Sequence, residues 1–278
     1  MFGLLENKVA VVTGGTSGIG LSAAQHFVAE GASVVIADIQ DGPGEQVSRE
    51  LGERAEYLHV DVTQEADIEA AVAFAVERFG RLDVFYNNAG AQGDPSPILE
   101  IGSGGAAKTF ELLSTSVLLG HKYAARQFVK QGTGGSIIST ASAAGLEGGW
   151  SAVGYTAAKH AVVGIVRQAV AELAGLGIRS NAIAPGVVMT PIMAKSFGVP
   201  LEQAGEFADF LAERLGSTMP SGRVGFASDI ARVAVFLASD LSEHVNGVTI
   251  PVDGGATAVT LSSFAQDIGP YVEEYTSR

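Results

Sequence analysis

The sequence predicts an α/β fold, one domain built on a parallel β-sheet that helices cover on both faces. Three observations predict it. Short apolar runs alternate with longer helical patterns along nearly the whole chain. Those runs read as strands buried on both faces. No Pro- or Ser-rich linker divides the 278 residues, a length that suffices for one large core.

In order, the strands are read at KVAVV (8–12), SVVIA (33–37), EYLHV (56–60), LDVFY (82–86), SIIS (136–139), IRSNA (178–182) and VTIPV (248–252). Helical patterns lie between them, at 18–30, 65–79, 108–130 and 151–174. One segment breaks the rhythm. Between Pro185 and Pro220 the passage from strand to helix is swollen, and Met193, Phe197, Phe207, Phe210 and Leu211 recur at roughly helical spacing. An insertion beyond the carboxyl end of a strand sits where open α/β sheets bind ligands. It reads either as a substrate lid, at 187–220, or as an extra packing helix.

Acidic residues outnumber basic ones 30 to 17, giving a formal charge of −13. That argues against nucleic acid or an anionic membrane as partner. Apolar residues make up 47% of the chain and mean hydropathy is positive, yet no apolar run reaches the roughly 18 residues a membrane span needs. The excess points to a well-filled core and to subunit interfaces. Without cysteine, a disulfide framework, a thiolate nucleophile and a thiolate metal site are excluded. The five His residues form no ligand-spaced cluster, so no metal is expected. The start MFGLLENKVAVVTGG lacks a basic segment followed by an apolar core and a small-residue cleavage site. The expectation is a soluble, cytoplasmic protein.

VAVVTGGTSGIG joins the first strand to the first helix. Glycine suits a turn whose backbone must approach a pyrophosphate, and the helix N-terminus beyond it offers free N–H groups and a positive dipole end. The spacing, Gly14, Gly18 and Gly20, is looser than G-x-G-x-x-G. Asp38 ends the second strand, where a carboxylate can accept both hydroxyls of an adenosine ribose and repel a 2′-phosphate. No Arg or Lys stands in the turn or directly after Asp38, which favours NAD over NADP. Asp61, closing the third strand, is open between the adenine edge and a turn cap. The helix at 151–174 sets Tyr155 and Lys159 one turn apart on one face. Read alone, they are a half-buried tyrosine and a lysine that stretches its head to water.

Taken together, TGGTSGIG, NNAG at 87–90, Ser142, Tyr155-x-x-x-Lys159 and PGVVMT at 185–190 closely resemble the short-chain dehydrogenase/reductases in order and spacing, from about residue 8 to the DGG at 253–255. The likeness is greatest to their NAD-dependent subgroup. It implies a Rossmann-like, doubly wound sheet of seven parallel strands within residues 1–255, leaving 256–278 as a C-terminal extension. It implies hydride exchange between a nicotinamide and a secondary alcohol or its ketone. It also implies a homo-oligomer, a tetramer favoured, paired partly through 227–252. The roles it assigns are acid/base for Tyr155, activation of that phenol and grip on the nicotinamide ribose for Lys159, and polarisation of the carbonyl for Ser142. Thr190 would hold the carboxamide, and Asn88 and Gly90 would line the adenosine-ribose and nicotinamide side of the cleft. Thr16, Ser17, Ile19, Ile39, Val62, Ala89, Pro185, Gly186 and Val188 complete the cofactor set.

The chemistry supports these roles independently. A phenol titrates near about 10, and a neighbouring ammonium favours the phenolate. Reaching about 7 takes on the order of 4 kcal/mol, much of which a close, partly desolvated cation can supply. One position departs from the pattern. Counting back from VLLGHKYAAR, the family's tetrad asparagine, which helps hold a water linked to the lysine, aligns with Leu113, a side chain without hydrogen-bonding groups. Three readings stay open: a relay through Ser114 or Ser116, backbone groups that hold the water unaided, or impaired catalysis.

The loop AAGLEGGWSAVG between Ser142 and Tyr155 is tethered at both ends by catalytic residues and must border the reacting carbon. Leu146, Trp150, Val153 and Val187, with Gln92 and Met193, are the candidates to line the substrate pocket; each also reads as ordinary core. Arg223, in GRVGFASDIA, reads as structural, and nothing basic stands out to bind an anionic substrate. The expected substrate is a neutral, lipophilic secondary alcohol or its ketone, aryl, alicyclic or steroid-like. Two rivals remain: a catalytically impaired dinucleotide-binding sensor or scaffold, which Leu113 supports, and an enoyl reductase, against which the Tyr-x-x-x-Lys spacing counts. The tail, with Phe264, Tyr271 and Tyr275, is open between a wrap onto a neighbouring subunit, the closure of a pocket and a loosely packed terminus.

Overall fold

Along the first strand, Val9 and Val11 face one core while Ala10 and Val12 face the other, the alternation a pleated strand imposes. Both faces are buried, so the run VAVV needs no polar residue. The computed structural model describes residues 3–190, 198–217, 219–259, 272–274 and 277. Its strands are β1 (Val9–Thr13), β2 (Ser33–Asp38), β3 (Ala55–His59), β4 (Val84–Asn87), β5 (Gly135–Thr140), β6 (Ile178–Pro185), β7 (Val188–Met189), β8 (Gly225–Phe226) and β9 (Thr249–Val252). Seven of them form one parallel sheet in the order β3-β2-β1-β4-β5-β6-β9, and β7 pairs with β8 beside it. The order reverses between β1 and β4, and ligands bind such sheets beyond the carboxyl ends at that reversal.

The helices are α1 (Gly18–Ala29), α2 (Asp41–Leu51), α3 (Glu65–Phe79), α4 (Ser103–Phe110), α5 (Ser116–Gln131) and α6 (Val153–Glu172), followed by Ala204–Gly216 and Ala227–Ala238. One core gathers α1 and Ala227–Ala238 against the sheet around Phe27, Ile36 and Tyr86. The opposite core gathers α3 and α5 around Ile68, Phe85 and Phe128. Burying side chains of this size stabilises by roughly 1.5–3 kcal/mol each. The doubly wound, single-domain α/β fold is therefore the one expected.

Details differ from the sequence reading. The helix read at 108–130 begins at Ser103 and is interrupted by a π-turn, Glu111–Thr115. Gly104 and Gly105 lie in its first turn, since a helix tolerates glycine at a modest cost per residue. β6 runs three residues further than read, to Pro185, and Pro251 lies in β9 at the sheet edge, where a missing N–H is tolerated. Of the expected lid, 187–190, 198–217, 219 and 220 are described, including the Ala204–Gly216 helix with Phe210 exposed. Met193 and Phe197 lie outside the described residues, as do Phe264, Tyr271 and Tyr275 of the tail. No described helix is long and apolar enough to cross a membrane.

A buried imidazole ties α5 to β6. His121 Nδ1 donates to Val117 O at 2.8 Å, and Nε2 accepts from Ser180 Oγ at 2.9 Å. Burial pushes its pKa down to about 4. The unfolded chain takes this proton near about 6.5, so stability is intact above that pH and falls as pH drops towards 4, by on the order of 3 kcal/mol. We expect His121→Gln to flatten this part of the pH dependence of urea unfolding; parallel profiles would contradict the assignment.

Candidate active site

β1 ends at Thr13, and the chain turns through 14–17 into α1. Gly14 and Gly18 have φ of +65° and +53°, a region that favours glycine. Gly20 is required by space: a Cβ there would lie 2.1 Å from Gly14 O and 2.5 Å from Asn88 Nδ2. Ser17, the residue before α1, makes no side-chain cap, and the first turn carries no acidic residue. The N–H groups of that turn, Ile19 and Gly20 included, are thus available to an anion. Thr190 sits over the same turn, its Cβ 3.4 Å from where a Cβ on Gly18 would be.

Asp38 is nearly buried, at 7% exposure, and it braces the turn. Its Oδ2 accepts the Thr16 hydroxyl at 2.7 Å and the Thr16 N–H at 3.2 Å, while Oδ1 accepts the Gln40 N–H at 3.2 Å. Gln40 also donates to Thr16 Oγ1 at 2.9 Å. Ile39 beside it is exposed. Asp61 Oδ1 accepts from Thr63 N and Oγ1 at 2.9 and 2.8 Å, so its carboxylate caps a turn, and the Val62 side chain belongs to the core. From NNAG, the Asn88 and Ala89 N–H groups both donate to Thr13 Oγ1, at 2.9 and 3.0 Å, and Asn88 Nδ2 donates to Thr13 O at 2.9 Å. Asn88 thereby fastens the turn to β4. Gly90 leaves room for Leu113, whose Cδ2 would be 3.0 Å from an added Cβ. Pro185 is buried, Gly186 abuts Asp253, and the Val188 side chain points into the core.

Ser142 starts a short 3-10 helix, Ala143–Gly145, and its Oγ accepts the Ala144 N–H at 3.1 Å. That helix lies directly on α6: a Cβ on Gly145 would be 2.7 Å from Lys159 O. The same close approach sets the Ser142 hydroxyl beside the Tyr155 phenol, where it favours the ionised form. Lys159 is 4% exposed. Its Nζ donates to Thr140 O at 2.7 Å and lies 5.7 Å from the Tyr155 ring centroid. Burial pushes the lysine down to about 8 and holds the phenol above its usual value, while Ser142 pulls the phenol back. Desolvation thus outweighs the neighbouring ammonium in the chain by itself. The sequence reading weighed the positive charges near the phenol and left out its burial.

Leu113 is buried in the π-turn. The Ser114 hydroxyl donates to Phe110 O at 2.9 Å and that of Ser116 to Leu112 O at 2.5 Å; both are committed to their own helix. On the substrate side, Trp150 and Val153 are half-buried, Gln92 is exposed, and Leu146 packs on the apolar group around Val162. Val187, half-buried, accepts the Gly225 N–H at 2.8 Å. Arg223 is paired with Asp229 at 2.7 and 3.0 Å. Sequence reasoning passed over Thr140 and Gln40. Thr140 gave no signal, since its backbone oxygen does the holding, and Gln40 was noted only for carrying no charge.

Comparison with known proteins places the family of the chain. A family model described as enoyl-(acyl carrier protein) reductase matches residues 14–257. Short-chain dehydrogenase reductase ATA1 of Arabidopsis thaliana is 41% identical, covering 92% of this chain and 94% of its own. The 2,5-dichloro-2,5-cyclohexadiene-1,4-diol dehydrogenase of Sphingobium indicum is 39% identical over 92% of this chain and 99% of its own. Among solved structures, levodione reductase superposes with a TM-score of 0.83 at 35% identity, covering 92% of this chain and all of its own. The chain belongs to the short-chain dehydrogenase/reductase family.

Proposed function

We propose that this oxidoreductase interconverts a neutral, lipophilic secondary alcohol and its ketone with NAD, and that Tyr155 is the acid/base. The observation that carries the reading is the set formed by the Tyr155 phenol, the Ser142 hydroxyl that favours its ionised form and the buried Lys159 ammonium one helical turn away. Family and fold imply a nicotinamide dinucleotide, and the turn without Cβ atoms at Gly14, Gly18 and Gly20 fits its pyrophosphate. When bound, that group supplies the hydride acceptor or donor. Ser142 donates a hydrogen bond to the substrate oxygen. Tyr155 takes the hydroxyl proton on oxidation and returns it on reduction. Lys159, fixed by Thr140 O, holds positive charge beside the phenol and stabilises its ionised form. Asp38 supports NAD over NADP, since a buried carboxylate repels a 2′-phosphate. The relatives' names support the substrate class, the cyclohexadiene-diol of the Sphingobium enzyme being an alicyclic secondary alcohol. A cytoplasmic homotetramer remains part of the proposal.

A second reading, reduction of a C=C bond, rests on the description of the matching family model. One assay separates the two. NADH formation is followed with a panel of lipophilic secondary alcohols, and NADH consumption with enoyl thioesters. We expect turnover of an alcohol, lowered at least about a hundredfold by Tyr155→Phe. Turnover of enoyl thioesters alone would install the second reading, and NAD binding without turnover would return the sensor reading. For Asp38→Asn we expect kcat/KM for NADP relative to NAD to rise at least about tenfold; an unchanged ratio would remove Asp38 from cofactor choice.

A further inference from the structure

The loop between Ser142 and Tyr155 has one rigid arm. Gly145 N–H donates to Ser142 O at 2.8 Å, and the N–H groups of Leu146 and Glu147 donate to Ala143 O at 2.9 and 3.1 Å. Glu147 is thereby fixed to the short helix that Ser142 starts. Trp150 belongs to the other arm, which leads into α6 and Tyr155. Between them, a Cβ on Gly148 or Gly149 would meet nothing within 4 Å, and Gly149 has φ +90°. The turn is open to solvent and has no packing behind it. A side-chain hydrogen bond closes it: the half-buried indole donates from Nε1 to Glu147 Oε1 at 2.7 Å.

We propose that Glu147 is a positioning residue for substrate recognition, a strap that joins the Ser142 arm to the Tyr155 arm and sets the Trp150 indole as a fixed wall of the pocket. The proposal rests on the functional reading of Ser142 and Tyr155. An ionised acceptor makes this hydrogen bond stronger than a neutral one. An indole held before the substrate arrives loses less freedom on binding, so the effect falls on KM. Glu147 acts through Trp150 and does not reach the reacting atoms.

Trp150 is the chain's only tryptophan, so fluorescence excited at the red edge of indole absorption, beyond that of tyrosine, reports on the strap alone. Wild type, Glu147→Gln and Glu147→Ala are compared for quenching by acrylamide, a neutral probe, and for KM and kcat with the lipophilic alcohol that the panel identifies. Glu147→Ala is expected to increase quenching and raise KM about fivefold, with kcat within about twofold. Glu147→Gln keeps an acceptor oxygen and is expected to stay near wild type in both readouts. Wild-type quenching in Glu147→Ala overturns the strap, and increased quenching with unchanged KM overturns its role in recognition. A wild type that turns over no alcohol sinks the functional reading alone, and the quenching comparison still decides the strap.

Discussion

Lys159 carries a charge into a place nearly without water, and the arrangement around it follows from that constraint. The side chain is 4% exposed, and its ammonium rests on the Thr140 carbonyl at 2.7 Å. Burying a cation against a neutral partner costs several kcal/mol, which surfaces here as a lysine pushed down to about 8. The same dry setting pushes the Tyr155 phenol up. Burial by itself therefore prefers the neutral phenol, and the phenolate needs further positive charge at the site. The end of β5 sets the geometry: Thr140 is its last residue and Ser142 follows two residues later. Gly145 then lets the short helix lie on the backbone of Lys159. One strand end thus places the lysine, the serine and, through α6, the tyrosine.

The cofactor side depends on a second constraint, the absence of side chains where three strand ends meet. Gly20 admits Gly14 O and the Asn88 amide, and Gly18 lies beneath Thr190. The Thr13 hydroxyl accepts two N–H groups from the chain after β4. These contacts fasten β1, β4 and the segment after β6 into one crevice at the reversal of strand order. Asp38 brings a nearly buried carboxylate to this crevice and is an acceptor that holds Thr16 in the turn. A substitution at Asp38 therefore acts on local geometry as well as on charge.

Much of this was legible in the sequence because it is written in local patterns. The strand at KVAVV and the helix at 65–79 are visible in apolar runs and in periodicity, and the structure keeps both, within one residue for the strand and at the same bounds for the helix. The glycine turn, Asp38 and the Tyr155–Lys159 pair are likewise short-range signals. What depends on tertiary contact was not legible. The π-turn at 111–115 interrupts a sequence with unbroken helical character. The bonds from Thr63 N and Oγ1 to Asp61 Oδ1 are likewise visible only in the fold. The balance of desolvation against charge at Tyr155 depends on burial, which spacing does not reveal. Neither the Thr140 carbonyl nor the Glu147 carboxylate carries a motif; each is found only by asking what a particular donor in the fold bonds to.

The central claim is that a buried lysine prepares a phenol whose ionisation awaits the positive charge of the oxidised cofactor. The most direct test is an ultraviolet difference titration of Tyr155, wild type minus Tyr155→Phe, with and without NAD⁺. The account predicts that the phenolate signal lies above the ordinary tyrosine range in the free protein and moves to lower pH when NAD⁺ is bound. A signal at the same pH in both states would contradict it.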